Sequence, residues 1–469
     1  MPLTFGTDGV RGDARSELTP EFVEALGRAA AGVLGAGQFA VGRDTRISGP
    51  ILAEALSRGV QRAGGSAVDL GVVPTPAVAR WCDDQRVAGA MVSASHNPWH
   101  DHGVKLFALG GLKLSDEAQH QIERRLSAML HDSGSGAATE SDAAAATGGA
   151  GSTRDGATQG PAAVPGAAVG EEARRRHVRS VAASVEGRDL DGLRIVVDPA
   201  NGAAYETGPE CLRTLGAAVE TIHAEPDGYN INDGCGSLHP ESLQAAVVSS
   251  GADAGLAFDG DADRVLAVDH AGALIDGDQI LAMCAIDRVR RGRLAGNAVV
   301  VTVMANLGLR RAMASHGIGV EETPVGDRHV LSALEDRGLV LGGEQSGHLI
   351  FRDLATTGDG LLTAVQLLDT LKRSGRSLRD LAAAAMTRMP QVLVGVPLPD
   401  GPGPGDLAAA LGPIAADAAA RLGDTGRVLV RPSGTEPLIR VMVEALDVDT
   451  ARAEADRLSA AVEAVLSCP

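Results

Sequence analysis

Ala254-Gly255-Leu256-Ala257-Phe258-Asp259-Gly260-Asp261-Ala262-Asp263-Arg264 is an apolar run that stops abruptly in three carboxylates at alternate positions. Five small or apolar residues without polar alternation suit a strand buried on both faces, and such strands belong to sheets covered by helices. Working back from it, the chain reads helix near 240 to 250, strand Ala218 to Ile222, helix near 206 to 215, and strand Arg194-Ile195-Val196-Val197. That is strand, helix, strand, helix, strand, closed by a polar loop.

The same order occurs twice more. Upstream, Phe39 to Val41, a helix near 50 to 63, Ala67 to Leu70, a helix near 76 to 82 and Val87 to Val92 lead to Ser93-Ala94-Ser95-His96-Asn97-Pro98. Downstream, Ala298 to Val303, a helix to Ser315, Ile318 to Glu321, a helix Arg328 to Glu335 and Leu339 to Leu341 lead to Gly343-Glu344-Gln345-Ser346-Gly347-His348. Alternation of this kind predicts α/β units with mixed or mostly parallel sheets. Ligands bind such sheets outside the strand ends, so the loops at 93, 259 and 343 occupy equivalent places and can face one cleft. After Pro390 the pattern changes: two strands, Arg427 to Val430 and Ile439 to Glu444, bracket Arg431-Pro432-Ser433-Gly434-Thr435-Glu436-Pro437 between Ala-rich helices. The expected fold is α/β: three tandem homologous α/β domains with mixed sheets plus a smaller α+β C-terminal domain around a central cleft. The expected boundaries are 1–132, 171–276, 277–389 and 390–469. Residues 133–170, nearly all Gly, Ala, Ser and Thr, cannot bury a core and read as a flexible low-complexity insertion. Phe5 to Gly12 reads as a glycine-punctuated N-terminal loop carrying Arg11.

Composition narrows the function. The chain has 469 residues, a prior of about three or four domains. Its formal charge of -18 disfavours nucleic acid, so an anionic substrate must be drawn in by local Arg and Lys clusters. Five scattered cysteines without a C-x-x-C pair indicate neither a zinc knuckle nor a disulfide framework. With no apolar N-terminal leader and no apolar run of membrane-spanning length, the expectation is a soluble cytoplasmic protein with no membrane partner.

Several clusters carry chemistry. Ser95, a hydroxyl at a strand tip beside His96, is a plausible covalent phosphate carrier, although alone the stretch reads first as an ordinary turn. Asp259, Asp261 and Asp263 crowd hard oxygens in the way Mg²⁺ requires. An EF-hand needs Gly at 264 and Glu at 270, where this chain has Arg264 and His270. Arg431, Ser433, Gly434, Thr435 and Arg440 have the parts of an anion cradle. Glu344, Ser346 and His348 offer groups for sugar hydroxyls or simply shape a loop. His96, His100 and His102 do not fit one helical face, which argues against zinc. Lys105, one of only three lysines, lies a short loop from Ser95 and could shuttle a proton or be a plain surface residue.

With these residues in hand, the chain resembles the α-D-phosphohexomutase family over essentially its whole length except 133–170. SASHNP at 93, DGDADR at 259, GEQSGH at 343 and RPSGTEP at 431 appear in family order, and FGTDGVRG at 5 and Gln345 look like its glucosamine branch. The resemblance implies an isomerase that interconverts glucosamine 6-phosphate and glucosamine 1-phosphate, supplying UDP-N-acetylglucosamine and cell-wall synthesis. Ser95 would be the phosphoserine and glucosamine 1,6-bisphosphate the intermediate and activator. One Mg²⁺ per site would be held by Ser95, Asp259, Asp261 and Asp263. Lys105 would be the general acid/base, and Arg11 and His96 would steady the transferring group. Glu344 and Ser346 would bind sugar hydroxyls, and Arg431, Ser433, Gly434, Thr435 and Arg440 the idle phosphate. The only partner implied is a small-molecule sugar phosphate, with a homodimer as the assembly to test. His102 stands where the family usually has Asn, and His329 where the glucosamine branch usually has Tyr. The rival readings are phosphoglucomutase or phosphomannomutase activity, a Mg²⁺-dependent sugar phosphatase, and a non-catalytic sensor.

Overall fold

The computed structural model describes residues 9–13, 16–35, 37–135, 166–398, 404–433 and 437–466. In the first unit β1 (Val10–Asp13), β2 (Gln38–Arg43), β3 (Ser66–Val72), β4 (Ala88–Val92), β5 (Asp101–Ala108) and β6 (Leu112–Lys113) lie in the order β1-β5-β4-β2-β3, with β6 beside β5. β2 runs parallel to β3 and β4, and β5 turns back antiparallel to β4. In the second unit β7 (Arg194–Asp198), β8 (Ala218–Thr221), β9 (Ala254–Phe258), β10 (Val265–Asp269) and β11 (Leu274–Ile275) lie in the order β11-β10-β9-β7-β8. In the third, β12 (Ala298–Thr302), β13 (Gly319–Thr323), β14 (Leu341–Gly343) and β15 (Leu349–Phe351) lie in the order β13-β12-β14-β15. One order therefore recurs: β5-β4-β2-β3, β10-β9-β7-β8 and β15-β14-β12-β13. Each functional loop spans the turn from the unit's third strand into its antiparallel neighbour.

The helices that cover these sheets begin where the chain supplies caps. Thr19 Oγ1 accepts the Phe22 N–H at 3.3 Å to start helix Pro20–Leu34, with Pro20 in its first turn. Asp276 and Gln279 form a reciprocal capping box on Gly277–Arg290. One hydrophobic core runs continuously from Val178 through the second and third units to Met386, so those two units are packed as a pair.

The fourth unit is built from β16 (Gln391–Pro397), β17 (Arg427–Pro432) and β18 (Leu438–Glu444), all antiparallel in the order β16-β18-β17. Helices Pro404–Leu422 and Val448–Leu466 close a separate core over this sheet. It hangs on the third unit's loop after β12: Arg427 Nη1 donates to the Ala305 carbonyl at 2.8 Å, and Glu444 accepts the Leu307 N–H at 3.2 Å.

Three local expectations differ from the structure. Residues 10–12, read as loop, belong to β1, because β5 offers an open edge and Val10 is buried against it. The strand expected at Leu339 starts at Leu341: the Leu339 N–H returns to the Leu334 carbonyl at 2.9 Å, and left-handed Gly338 ends the preceding helix. The stretch 133–170 is helical at both ends, in Asp116–Ser135 and Gly166–Ala183, while 136–165 lie outside the described residues. Helix Gly166–Ala183 is held by burial on two sides, with Ala173 in the first unit's core and Val178 and Val181 in the core of the second and third.

Candidate active site

Ser95 is fully buried at the end of β4 and adopts a left-handed backbone with φ 56°. For a residue with a Cβ that conformation costs about 1 to 2 kcal/mol, so the surroundings must hold it. They do. The Ser95 N–H donates to Ser93 Oγ at 2.9 Å, and Ser93 Oγ donates to Asp44 Oδ2 at 2.5 Å. Asp44 pairs with Arg46, which is only 1% exposed, and Arg46 Nη2 reaches the Asn97 carbonyl at 2.6 Å and the Ser95 carbonyl at 3.3 Å. The strain leaves the Ser95 hydroxyl aimed at the second unit, where it donates to Asp259 Oδ2 at 2.5 Å.

Asp259, Asp261 and Asp263 are each at most 2% exposed, with oxygens within 4.8 Å of one another. Burial, then the charges of Asp263 and Asp261, pushes the Asp259 carboxyl well above its ordinary range. Burial would do the same to Asp263, but Lys105 and then His348 hold it well below. Lys105, 4% exposed, puts Nζ 2.8 Å from Asp261 Oδ2 and 2.6 Å from Asp263 Oδ2. It comes from β5, so the surface reading of Lys105 is wrong. Asp261 Oδ1 and Asp263 Oδ1 are buried without a hydrogen-bond partner. Buried carboxylate oxygens without a hydrogen bond are costly unless a cation takes their lone pairs. The donor set is all oxygen, which fits a hard divalent ion.

Around this centre, Arg264 Nη1 lies 3.1 Å from His96 Nδ1. Burial first, then Arg264 and Arg11, lowers the His96 imidazole to about 4, so it is neutral at pH 7. Arg11 is exposed on β1, in register with Gly103. Thr75 Oγ1 donates to Asp261 Oδ2 at 2.5 Å. Neither Thr75 nor Arg46 was singled out from sequence: each reaches its partner through the fold, and no local spacing announces them. The strand-end position of both was the only available signal.

The third loop meets the second. Val265 N–H donates to the Gly347 carbonyl at 3.2 Å, and His348 Nδ1 lies 3.7 Å from Asp263 Oδ1. His348 is 2% exposed and packed under Gly358, so it braces the acidic loop and does not offer itself to a sugar. Glu344 is half-buried, accepting the Gly326 N–H at 3.2 Å, and Ser346 is exposed. Arg431, Ser433 and Arg440 form their own cluster on the fourth unit. Arg431 and Arg440 stand opposite each other across β17 and β18, and Arg440 Nε approaches Ser433 Oγ at 3.4 Å. Burial, then Arg440, lowers the Arg431 pKa, and an anion bound beside the two guanidinium groups would relieve the second of these causes. Gly434 and Thr435 lie outside the described residues. His102 is not at the reacting centre: its Nε2 lies 2.7 Å from Ser48 Oγ, at the start of helix Gly49–Arg62. His329 is exposed in the first turn of helix Asp327–Arg337.

Comparison with known proteins adds the ancestry. The phosphoglucomutase/phosphomannomutase alpha/beta/alpha domains I, II and III match residues 2–131, 175–272 and 276–389, and the C-terminal domain of the same family matches 393–461. The chain belongs to the phosphoglucomutase/phosphomannomutase family. A phosphoglucosamine mutase from Frankia alni is 48% identical over 487 residues, covering 100% of both chains. One from Saccharopolyspora erythraea is 47% identical, covering 99% of this chain and 100% of that one. A crystal structure of a phosphoglucomutase/phosphomannomutase family protein from Burkholderia thailandensis superposes with a TM-score of 0.78 at 25% identity, covering 98% and 97% of the two chains. In this phosphohexomutase the three strand-end loops of the repeat are thus the same three loops that converge on Ser95 and the acidic triad.

Proposed function

We infer that the protein acts as a phosphoglucosamine mutase, an isomerase that interconverts glucosamine 6-phosphate and glucosamine 1-phosphate. Full-length relatives at 47 and 48% identity carry that activity in their names. The observation that carries the chemistry is the strained, buried Ser95, whose hydroxyl points at Asp259 from 2.5 Å.

The reaction starts from phosphoserine at 95. The free hydroxyl of the sugar phosphate attacks phosphorus, a new P–O bond forms, and the P–Oγ bond of Ser95 breaks. The proton leaves the sugar hydroxyl and Ser95 Oγ regains one, with Lys105 as the group that carries it. The product is glucosamine 1,6-bisphosphate. It reorients, and its other phosphate returns to Ser95 by the reverse of the same step. Asp259, Asp261, Asp263 and the phosphoseryl oxygen would hold Mg²⁺, which supplies charge neutralisation for the transferring phosphoryl group. Lys105 and Arg264 add fixed positive charge in the same buried space, while neutral His96 can donate or accept a hydrogen bond. Arg11 lies on the strand beside it. Glu344 and Ser346 would orient the sugar. Arg431, Ser433, Gly434, Thr435 and Arg440 would hold the phosphate that is not reacting, so that one anchor serves both orientations. A separate core for the fourth unit supports its service as a lid that excludes water, without which phosphoserine would be hydrolysed.

Among the described residues no helix is long and apolar enough to cross a membrane. Cys82, Cys211, Cys235 and Cys284 are buried free thiols, which supports a reducing, cytoplasmic setting.

The test is Ser95→Ala with a substrate panel. The variant should bind glucosamine 6-phosphate within about twofold of wild type and lose turnover by at least about 10⁴-fold. Wild type should carry its phosphate on Ser95 by intact mass and peptide mapping; phosphate elsewhere sinks the mechanism. Faster turnover of glucose or mannose 6-phosphate would reassign the substrate, and release of inorganic phosphate instead of isomer would make the protein a phosphatase.

A further inference from the structure

Ser95 is held from two domains, by Arg46 of the first unit and by a side-chain amide of the second. The Nδ2 amide of Asn232 donates to the Ser95 carbonyl at 2.9 Å and to the Asn97 carbonyl at 2.9 Å. Those are the same two carbonyls that Arg46 reaches from within the first unit. Asn232 sits on the long loop after β8 of the second unit and is itself left-handed, with φ 59°. Its own N–H is fixed on the Ala200 carbonyl at 3.0 Å. Asp198 in turn braces this platform, accepting the Ala200 N–H and the Gly236 N–H at 2.9 Å each. Gly260, inside the acidic loop, completes the contact. A Cβ there would come within 2.6 Å of the Ser95 carbonyl and 2.9 Å of Asn232 Nδ2.

We propose that Asn232 is a positioning residue for phosphoryl transfer: the second unit uses its side-chain amide to lock the Ser95 peptide in the left-handed conformation that aims Oγ at the acidic loop. The inference rests on Ser95 being the phosphoryl carrier. A carbonyl pinned by two donors fixes ψ of Ser95, and a strained conformation persists only where its surroundings over-determine it. Arg46 travels with the first unit. Asn232 travels with the second, as do Asp259, Asp261 and Asp263, so it registers the serine against the carboxylates that the serine must face. A displacement of about 1 Å at a reacting centre costs on the order of 10²-fold in rate.

Two substitutions separate this role from simple support of the loop. Asn232→Asp keeps the size and the tolerance for left-handed backbone but turns donors into an acceptor facing two carbonyls. Asn232→Gly keeps the backbone preference and removes the amide. Both should lower kcat by at least tenfold with KM for glucosamine 6-phosphate within about twofold of wild type. Both should also slow, by a similar factor, the appearance of phosphate on Ser95 when dephosphorylated protein is mixed with glucosamine 1,6-bisphosphate and followed by intact mass. Rates are read well below each variant's melting temperature, so lost stability does not imitate the effect. Unchanged kcat and unchanged Ser95 phosphorylation in both variants overturn the inference. So does a rise in KM at constant kcat, which would make Asn232 a substrate ligand. Wild-type protein measured alongside distinguishes the two levels: phosphate on a residue other than Ser95 overturns the phosphoserine reading itself, whatever Asn232 does.

Discussion

His102, which looked from its position like a functional departure, has a structural task with a measurable pH signature. Burial, and next the Arg46 guanidinium, lowers its imidazole to about 4 from an ordinary 6.5. The folded protein therefore keeps the ring neutral where the unfolded chain takes up a proton. More protons bound in the unfolded state means that stability rises with pH. The contribution is fully present above about pH 6.5 and is lost as pH falls toward 4, amounting at most to something on the order of 3 kcal/mol. His102→Asn, which restores the residue usual in the family, should flatten the fall in urea stability between pH 6.5 and 4.5 and leave kcat at pH 7 within about twofold. An unaltered slope would place the acid sensitivity in another group, such as His96, which is shifted the same way.

At the scale of elements, the turn from a third strand into its antiparallel partner is what the three units share, and two of these turns meet at Gly347. With φ 92° and its missing Cβ directed at the Val265 carbonyl from 2.3 Å, it lets the third unit's loop lie directly on β10. Gly347→Ala should therefore cost more than about 2 kcal/mol, from the strained φ and the backbone clash together. It should lower kcat/KM by more than tenfold through Glu344 and Ser346, read by thermal melts and steady-state kinetics. A variant that melts and turns over like wild type would show that the loop contact carries no function. The same joins explain what was legible in the sequence. The apolar runs ending at Val92 and Phe258 announced their strands and the polar loops beyond them, because unalternating apolar residues followed by Gly, Asn-Pro or alternating Asp have few other local solutions. The returning strands β5 and β15 were not announced. Neither were Arg46, Thr75 and Asn232, whose partners lie far along the chain, 186 positions away for Thr75 and 137 for Asn232. Spacing reports neighbours in sequence; the Thr75 and Asn232 contacts arise only when the units dock, and the Arg46 contacts with Ser95 and Asn97 only when the first unit closes on itself. His348 shows the converse, a residue inside a legible motif whose side chain turns inward to Asp263.

At the scale of the molecule, the centre is a joint between units as well as a place of reaction. Ser95 and Lys105 come from the first unit, Asp259, Asp261 and Asp263 from the second, and His348 from the third. Three buried carboxylates meeting the Lys105 ammonium and the Arg264 guanidinium still leave an excess of negative charge at that joint, with Asp261 Oδ1 and Asp263 Oδ1 lacking a hydrogen bond. A divalent cation bound there would relieve the repulsion and tie the units together, so its binding energy must appear as stability. At a concentration of about 100 times Kd the gain is about 2.7 kcal/mol, and in a chain of this length that is a rise of a few degrees in the melting transition. Mg²⁺ titrated into EDTA-treated protein should raise Tm progressively with concentration. Asp261→Asn should abolish the rise while melting, without metal, at or above the temperature of metal-free wild type, because one repelling charge has gone. A variant that keeps the full Mg²⁺ response would place the ion elsewhere, and a wild type with no response would mean that the carboxylates are balanced by Lys105 and Arg264.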